Sequence, residues 1–378
     1  MRVALLGTRG VPARYSGFET CVEEVGRRLV ARGHDVVVYC RYRGQHQRDH
    51  LGMRLVNLPA LRLKATETLT HTFFSALDVV WRDVDAAIVF NAANAALVPL
   101  LKARRIPVAV HVDGLEWKRD KWSDLGKRYY LVSERLAVRW ADRLIADSRA
   151  IQAYYLERYG AASDYLTYGA PILAPAPARR LADAGLSPRR YHLVVARLEP
   201  ENNVHVVVEG YCRSGADHPL VVVGGAPYGE RYIQSLRAMA DGRVTFLGGV
   251  WDQELLDELY AHCLTYLHGH SVGGTNPSLL RAMGAGAPVA AVDVAFNREV
   301  LADTGVYFGS PDDVAAIVAG AEAGPEATLA RGRRGQIRAA ARYDWDQVAA
   351  GYEELCRRLV AGRALPAAGA ERPRRRAA

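Results

Sequence analysis

The 378-residue sequence lacks the features that mark secreted, zinc-binding and membrane-spanning proteins. Its five cysteines are scattered without a C-x-x-C pair, which argues against a disulfide framework and against structural zinc. The first apolar run ends before Arg9, too early for a signal peptide. The longest apolar stretch, residues 86–101, is interrupted by asparagines and a proline, so we expect no transmembrane helix. These absences are typical of a reduced, cytoplasmic protein.

Lysine is also scarce, because arginine supplies all but five of the 49 basic residues. The net charge of +8 is placed unevenly: residues 1–170 carry 26 basic and 18 acidic residues, and residues 171–378 carry 23 of each. A basic first half suggests an anionic partner, and nucleic acid, an anionic membrane surface and a phosphorylated substrate are all candidates. A solvated, arginine-rich surface without any partner accounts for the charge equally well.

Short apolar runs alternate with amphipathic stretches in two separate series along the chain. This pattern is typical of parallel sheets covered by helices on both faces. It predicts an α/β fold with two doubly wound domains, at residues 1–170 and 191–341. Four prolines in residues 171–190 indicate a linker between them. Residues 342–363 read as a helix, and the low-complexity basic tail at 364–378 is predicted to be disordered.

The stretch GTRGVPARYSGFET, residues 7–20, follows the first predicted strand and leads into the first predicted helix. Open α/β sheets hold ligands at such positions. The stretch lacks the G-x-G-x-x-G spacing of a dinucleotide site, which argues against NAD or FAD. Its glycines give backbone freedom, its arginines give charge and Glu19 suits a helix start. A plain capped loop is the competing interpretation. The candidate cleft residues are Arg9, Gly10, Arg14, Gly17, Phe18 and Glu19.

A second polar cluster, HVDGLEWKRDKW, begins at His111 and lies at the carboxyl end of a predicted buried strand. His111, Asp113 and Glu116 offer groups for acid–base chemistry, and Trp117 offers an apolar surface of the kind on which sugars stack. A lone histidine at a strand end is often structural. The density of polar groups here favours a site.

Two stretches of the second domain suggest a diphosphate site. VVARLEPENN, residues 194–203, ends a strand with Arg197, which can bind a phosphate through two hydrogen bonds. The turn HGHSVGGTNPSLL, residues 268–280, places Asn276 and a proline at a helix start. Backbone N–H groups at a helix start can bind an anion. The candidate contacts of this turn are Gly273, Gly274, Thr275, Asn276, Ser278 and Leu279.

Together these four stretches resemble retaining, family-4-like GT-B glycosyltransferases, over nearly the whole chain. The opening stretch is similar to the N-terminal domain of bacterial rhamnosyltransferases of polysaccharide assembly. The resemblance implies two Rossmann-like domains facing an interdomain cleft, with the nucleotide-sugar held by the second domain and the acceptor by the first. It also implies that the final helix crosses back to brace the first domain. The implied donor is dTDP-L-rhamnose, and the implied acceptor is a saccharide or a polyprenyl-diphosphate-linked saccharide. The basic first half would then contact an anionic membrane surface at the cytoplasmic face, and nucleic acid is not an expected partner.

The resemblance also implies roles for single residues. Arg197 would stabilise the leaving diphosphate, so neither a metal nor another cofactor is expected. Relatives carry a lysine about five residues further on, where this chain has Asn202. His111 and Asp113 would orient the donor sugar and the reacting centre. Retention would follow from a front-face reaction, in which the leaving phosphate takes the acceptor proton and no covalent intermediate forms.

One position departs from the family pattern. Relatives carry two glutamates seven residues apart around the second-domain turn, where this chain has Gly273 and Arg281. The second glutamate accepts hydrogen bonds from the ribose, whereas arginine has only donors. Unpaired ribose hydroxyls would cost on the order of 1–3 kcal/mol. Either Arg281 binds a donor phosphate, or Glu299 supplies the missing acceptor, or the donor site is degraded. A non-catalytic glycan- or partner-binding subunit and a GT-B sugar-nucleotide epimerase therefore remain alternative functions.

Overall fold

The computed structural model describes residues 1–13, 17–41, 47–61, 66–112, 114–119, 122–174, 177–225 and 230–364. Within these ranges the chain forms two sheets with helices packed on both faces of each. Two of the residues singled out above, Arg14 and Asp113, lie outside the described ranges, as does the tail beyond residue 364. No helix among the described residues has the length and apolar composition needed to cross a lipid bilayer.

The first sheet is assembled from the first half of the chain. In the described residues its strands are β1 (Arg2–Leu6), β2 (Asp35–Arg41), β3 (Asp49–His50), β4 (Met53–Leu58), β5 (Ala86–Phe90), β6 (Val108–Val112), β7 (Arg143–Ala146) and β8 (Asp164–Tyr165). Their order across the sheet is β3-β4-β2-β1-β5-β6-β7-β8, and only the short β3 runs antiparallel to its neighbour among these strands. Every residue of β5 and β6 is buried, because helices cover both faces of the sheet.

Five α-helices among the described residues accompany this sheet. They are α1 (Gly17–Ala31), α2 (Glu67–Val80), α3 (Val98–Ala103), α4 (Asp124–Trp140) and α5 (Arg149–Tyr159). Short 3-10 helices follow β5 at Ala92–Leu97 and β6 at Glu116–Lys118. Ser148 caps α5 through its hydroxyl, which accepts a hydrogen bond from the N–H of Ile151, so this helix begins directly after β7.

The second sheet is parallel throughout its described strands. These strands are β9 (His192–Val195), β10 (Leu220–Val223), β11 (Val244–Gly248), β12 (Thr265–His268), β13 (Val289–Val292) and β14 (Val306–Phe308). They lie in the order β11-β10-β9-β12-β13-β14. The accompanying helices are α6 (Val204–Arg213), α7 (Glu230–Met239), α8 (Gln253–His262), α9 (Pro277–Gly284), α10 (Ala295–Leu301), α11 (Pro311–Ala323), α12 (Pro325–Arg342) and α13 (Trp345–Ala364). Further 3-10 turns lie at Ala182–Ala184, Pro200–Asn202 and Ala302–Thr304.

The last helix, α13, packs against α1 of the first sheet. The guanidinium of Arg28 lies 2.7 Å from the carboxylate of Asp346, and the ring of His34 lies 2.9 Å from the carboxylate of Glu353. Because α12 accompanies the second sheet and α13 contacts the first, the end of the chain joins the two halves of the molecule.

In the proline-rich stretch, the described residues 177–190 contact the second half of the chain at helix α8. The backbone N–H of Arg180 donates to the carboxylate of Glu258 in α8 over 2.8 Å, and Leu181 is fully buried. The segment between the sheets therefore has fixed contacts, which its proline content alone does not indicate.

Candidate functional site

The strand order of the second sheet reverses between β9 and β12. In open α/β sheets the loops after two such strands enclose the ligand crevice. Here these loops are residues 196–203 and 269–276. The side-chain amide of Asn203 donates to the carbonyl of Gly269 over 2.8 Å, so the two loops are held together. They contain the two second-domain stretches on which the sequence prediction of a diphosphate site rests.

The first sheet has its own reversal, between β1 and β5. The loop after β1 is held by Glu19, which is buried and accepts a hydrogen bond from the backbone N–H of Arg9 over 2.9 Å. Gly10 has a φ of +95°, and a Cβ there would lie 2.4 Å from the sulfur of Cys40. This position therefore requires glycine for close packing. Phe18 packs edge-on against Phe90 with ring centroids 5.5 Å apart, so its ring is part of the core.

His111 lies within a stack of aromatic rings. Its side chain is fully buried, nearly parallel to Phe90, Tyr168 and Tyr352, and edge-on to Phe18. Burial lowers the pKa of His111 to about 3, so the ring is neutral at physiological pH. Both ring nitrogens of His111 are buried without a hydrogen-bond partner among the described residues. The contact of His111 with the donor sugar stays a prediction.

Glu116 and Arg119, in the loop after β6, reach the second domain. The guanidinium nitrogen Nε of Arg119 lies 2.5 Å from Glu116, and its Nη1 donates to Glu201 of the second domain over 3.3 Å. All three side chains are nearly buried. Trp117 is half-buried, with the ammonium of Lys118 5.5 Å from its ring centroid. The acidic group predicted at 116 is therefore part of an ion-pair network across the cleft.

The glycine turn of the second domain touches the first domain directly. A Cβ on Gly114 would lie 2.0 Å from the Cα of Gly273, and a Cβ on Gly274 would lie 1.9 Å from a carboxylate oxygen of Asp147. The hydroxyl of Thr275 donates to the backbone carbonyl of Asp147 over 2.7 Å. Gly273, Gly274 and Thr275, which were predicted to contact the donor, therefore meet the first domain in this structure.

Asp147 itself was not singled out from the sequence. It follows β7, is nearly fully buried, and its Oδ1 has no hydrogen-bond partner among the described residues. Burial, and then the negative charge of Glu299, raises the pKa of Asp147 to about 8. A carboxyl group with a raised pKa is thus held against Gly274.

His270 lies at the centre of the second-domain crevice. Its Nδ1 is 2.7 Å from the side-chain oxygen of Asn202, whose NH2 group donates to the carbonyl of Arg197. Since that oxygen is an acceptor, Nδ1 carries the proton and Nε2 keeps a lone pair. Burial, followed by the charges of Arg119, His268 and Arg197, lowers the pKa of His270, so its ring is neutral.

The positive charges of two arginines, one from each domain, thus act on His270. Arg197 is one-third exposed, and its Nη1 lies 3.3 Å from the carboxylate of Glu199. Arg119 is nearly buried. Asn202 uses both ends of its amide within the protein, so it positions the loop in place of the predicted donor contact.

The start of α9 differs in one respect from the prediction. The side chain of Asn276 caps the helix, as predicted, but it does so by accepting the N–H of Ser278 over 2.8 Å. That N–H is therefore not free for an anion, as the sequence had led us to expect. The side chain of Leu279 is fully buried in the core. Gly17 of the first domain faces Pro277, where a Cβ would lie 2.8 Å from the proline ring.

Arg281 and Glu299 each have a protein partner. The guanidinium of Arg281 lies 3.4 Å from Asp257 in α8, and both side chains are about a quarter exposed. Burial raises the pKa of Asp257, and the charge of Arg281 opposes that rise. The carboxylate of Glu299 accepts hydrogen bonds from the backbone N–H of Arg149 and from the hydroxyl of Tyr165. Glu299 is thus directed at the first domain, which does not fit the predicted hydrogen bond to a ribose.

Two known families match the chain, and each covers one of the two sheets. Residues 1–171 match the Domain of unknown function (DUF1972), and residues 184–335 match Glycosyl transferases group 1. The second half of the chain is therefore similar to the group 1 glycosyltransferases. No curated protein sequence matches the chain significantly.

Solved structures share this architecture over nearly the whole chain. HepE of Anabaena, in complex with UDP and glucose, has a TM-score of 0.77 over 95% of this chain and 100% of its own, at 19% identity. Sucrose-phosphate synthase from Thermosynechococcus elongatus has a TM-score of 0.81 over 96% and 99%, at 21% identity. WaaG, a glycosyltransferase involved in lipopolysaccharide biosynthesis, has a TM-score of 0.70 over 94% and 99%, at 16% identity. The predicted GT-B fold of two parallel-sheet α/β domains is confirmed.

The sequence indicated the two loops of the crevice, but it did not indicate four residues that contact the predicted site residues. His270 and Asp257 belong to the second domain, and Arg119 and Asp147 reach it from the first. Arg119 and His270 lie inside the stretches quoted above, so the stretches signalled the location although not the residues. Asp257 lies in an ordinary amphipathic helix, and no sequence signal distinguishes it.

Proposed function

We propose that the protein transfers a sugar from a nucleotide-sugar to a saccharide or a lipid-linked saccharide, with retention of configuration and without a metal. The observation that carries the proposal is the partly exposed Arg197, which lies in the loop after β9 at the strand reversal and whose charge acts on the buried His270 of the facing loop. A nucleotide-sugar transferase must stabilise a diphosphate leaving group, and guanidinium groups do so through paired hydrogen bonds.

Arg197 is the cation that we assign to the leaving diphosphate. It is partly exposed and shares its charge with one carboxylate, Glu199, whereas Arg119 is paired with two. The charge of Arg119 is therefore balanced within the protein, and Arg197 is the arginine left to supply hydrogen bonds to the diphosphate.

The neutral ring of His270 leaves Nε2 as an acceptor beside the glycine turn. We assign this nitrogen to a hydroxyl of the donor sugar, because a neutral imidazole can accept a hydrogen bond from a hydroxyl without adding positive charge. In a front-face reaction the acceptor oxygen bonds to the anomeric carbon on the face that the phosphate leaves. The departing phosphate oxygen then takes the acceptor proton, and no protein nucleophile is needed.

Arg281 and Asp257 are the residues to which we assign contacts with the ribose and a phosphate of the donor. The family's glutamate is replaced by Arg281, and a carboxylate from the neighbouring helix lies 3.4 Å from it. We assign Asp257 to the ribose hydroxyls and Arg281 to a donor phosphate. In this way the acceptor that the substitution removed is supplied from a different helix.

The most specific part of the proposal is the identity of the donor sugar. We propose dTDP-L-rhamnose as donor, on the resemblance of the opening stretch to rhamnosyltransferases. HepE, which shares the fold, was solved with UDP-glucose, so UDP-glucose is the second donor to test. The acceptor is proposed to be lipid-linked at the cytoplasmic membrane face, on the strength of the basic first half.

A non-catalytic subunit is the competing function, and Arg281 is the observation that favours it. A thermal-shift screen with dTDP-rhamnose, UDP-glucose, dTDP and UDP separates the two, followed by a measurement of nucleoside diphosphate release. Stabilisation by a nucleotide-sugar and slow release of its diphosphate would support the transferase. Stabilisation without release in the presence of candidate acceptors would favour the binding subunit. No response to any nucleotide would refute the proposed function.

A further inference from the structure

Helix α2 exposes the large apolar side chains that a surface helix ordinarily buries. Phe73 and Phe74 are each 40% exposed, and Trp81, directly after the helix, is 84% exposed. The opposite face carries His71, Thr72, Ser75, Ala76 and Val79, all buried. An amphipathic helix of a soluble protein has the reverse arrangement, with its bulky apolar residues against the core.

The exposed residues form one continuous stripe. Leu77 lies four residues after Phe73, three after Phe74 and four before Trp81, which places the four side chains on one side of a helix. Leu61 is also exposed, and its N–H donates to the hydroxyl of Thr70 over 3.1 Å, which places Leu61 beside the first turn of α2. The three aromatic side chains alone expose on the order of 350 Å². Exposed apolar patches of this size are often functional.

An arginine-lined groove adjoins the end of the stripe where Trp81 lies. The groove has a volume of about 460 Å³ and contains Arg82, the residue directly after Trp81. Its other lining residues are Arg48, Asp49, Arg54, Leu55, Val56 and Asn57. The guanidinium of Arg82 bonds Asp78, whereas the side chains of Arg48 and Arg54 have no hydrogen-bond or ion-pair partner among the described residues. The groove therefore carries a net positive charge next to an apolar surface.

We propose that the stripe and the groove form one surface that binds an anionic lipid bilayer. The aromatic and leucine side chains would enter the region between headgroups and acyl chains, and the arginines would bind lipid phosphates. The positive groove complements the negative cytoplasmic leaflet. A specific protein partner is a poorer fit, because such interfaces bury about 800 Å² on each side. The inference deepens the proposed function, on which it rests for the choice of a lipid-linked acceptor.

The test is co-sedimentation with phosphatidylcholine vesicles, with and without phosphatidylglycerol. Trp81→Ser is the variant, and Trp251→Ser is its matched control, because Trp251 is 81% exposed but lies in the second domain. We expect Trp81→Ser to reduce vesicle binding about tenfold, and Trp251→Ser to leave it unchanged. Both positions are exposed, so thermal melts should show intact folding.

A second pair of variants tests the groove. The double variant Arg48→Glu, Arg54→Glu should abolish the preference for phosphatidylglycerol vesicles, and Arg213→Glu on the second domain should not. The proposal would be overturned if Trp81→Ser and Trp251→Ser lost vesicle binding equally, or if the Arg48→Glu, Arg54→Glu variant and Arg213→Glu lost the preference for phosphatidylglycerol equally. Equal binding of wild type to the two vesicle types would also overturn it. So would a dimer in sedimentation velocity that Trp81→Ser dissociates, since the stripe would then bind a second copy. Vesicle binding requires no donor, so this result is independent of whether the protein transfers a sugar.

Discussion

Glu299 of the second domain caps the helix that begins at Arg149 of the first domain. The two carboxylate oxygens of Glu299 lie 2.9 and 3.1 Å from the backbone nitrogen of Arg149. The first N–H groups of a helix have no acceptor within the helix, and a carboxylate there also suits the helix dipole. A side chain with a candidate donor role thus joins the two domains.

Replacing Glu299 with alanine should lower the free energy of unfolding by about 1–2 kcal/mol, the usual cost of losing a helix cap. Urea denaturation measures the change. Tyr165→Phe is the control, because it removes one hydrogen bond to the carboxylate and leaves the cap in place, and its effect should be smaller. Unchanged stability with weakened nucleotide-sugar binding would return Glu299 to the donor site.

Asp147 should make stability depend on pH. Its pKa is raised to about 8 from an ordinary value near 3.8, so the folded state holds a proton that the unfolded chain releases. Its contribution is therefore largest at acidic pH, falls as the pH rises from about 4 to about 8, and is constant above that. Asp147→Asn keeps the shape and removes the titration.

Denaturation of wild type and Asp147→Asn across this pH range checks the prediction. The variant should gain stability relative to wild type as the pH rises, and the gain should level off above about pH 8. A difference between the two proteins that does not change with pH would mean that the Asp147 carboxyl group does not titrate with a raised pKa.

Gly114 sets how closely the domains approach. A Cβ at this position would lie 2.0 Å from the Cα of Gly273, so Gly114→Ala must push the domains apart. We expect a larger radius of gyration by small-angle X-ray scattering and slower transfer. Gly215→Ala is the control, because a Cβ there meets no atom within 4 Å. Closed domains and full activity in Gly114→Ala would show that this contact is not needed.

The Arg281–Asp257 pair should be sensitive to charge. Arg281→Glu would place two carboxylates together and remove the cation assigned to a donor phosphate. We expect donor affinity, measured by calorimetry, to fall about tenfold. Asp257→Asn should weaken binding in the same direction if its carboxylate accepts the ribose hydroxyls. If Arg281→Glu instead tightens donor binding, the natural arginine has degraded the site.

The fold could be predicted from the sequence because apolar runs and helical periods are local signals. The positions of the crevice loops followed from the same signals, since loops after parallel strands meet at one edge of the sheet. The orientation of His111 did not follow, because every residue of its strand is apolar or buried and the pattern has no alternation. The contact of Arg119 with Glu201 joins residues that are 82 positions apart, and no local pattern reports such a pair. The N–H of Ser278 was predicted to be free for an anion. The sequence shows that Asn276 can cap the helix, but it does not show which N–H the Asn276 side chain binds.

The central claim is that Arg197 holds the diphosphate of a nucleotide-sugar. Calorimetric titration of dTDP-rhamnose and UDP-glucose into wild type, Arg197→Ala and Arg213→Ala tests it most directly. Arg213 is the matched control because it is an arginine of the same domain that pairs with Glu209 and Asp312, at the other end of α6. We predict that wild type and Arg213→Ala bind at least one donor with the same affinity, and that Arg197→Ala binds it at least about tenfold more weakly. Equal affinity for Arg197→Ala and wild type, or no binding of either donor to wild type, would contradict the claim.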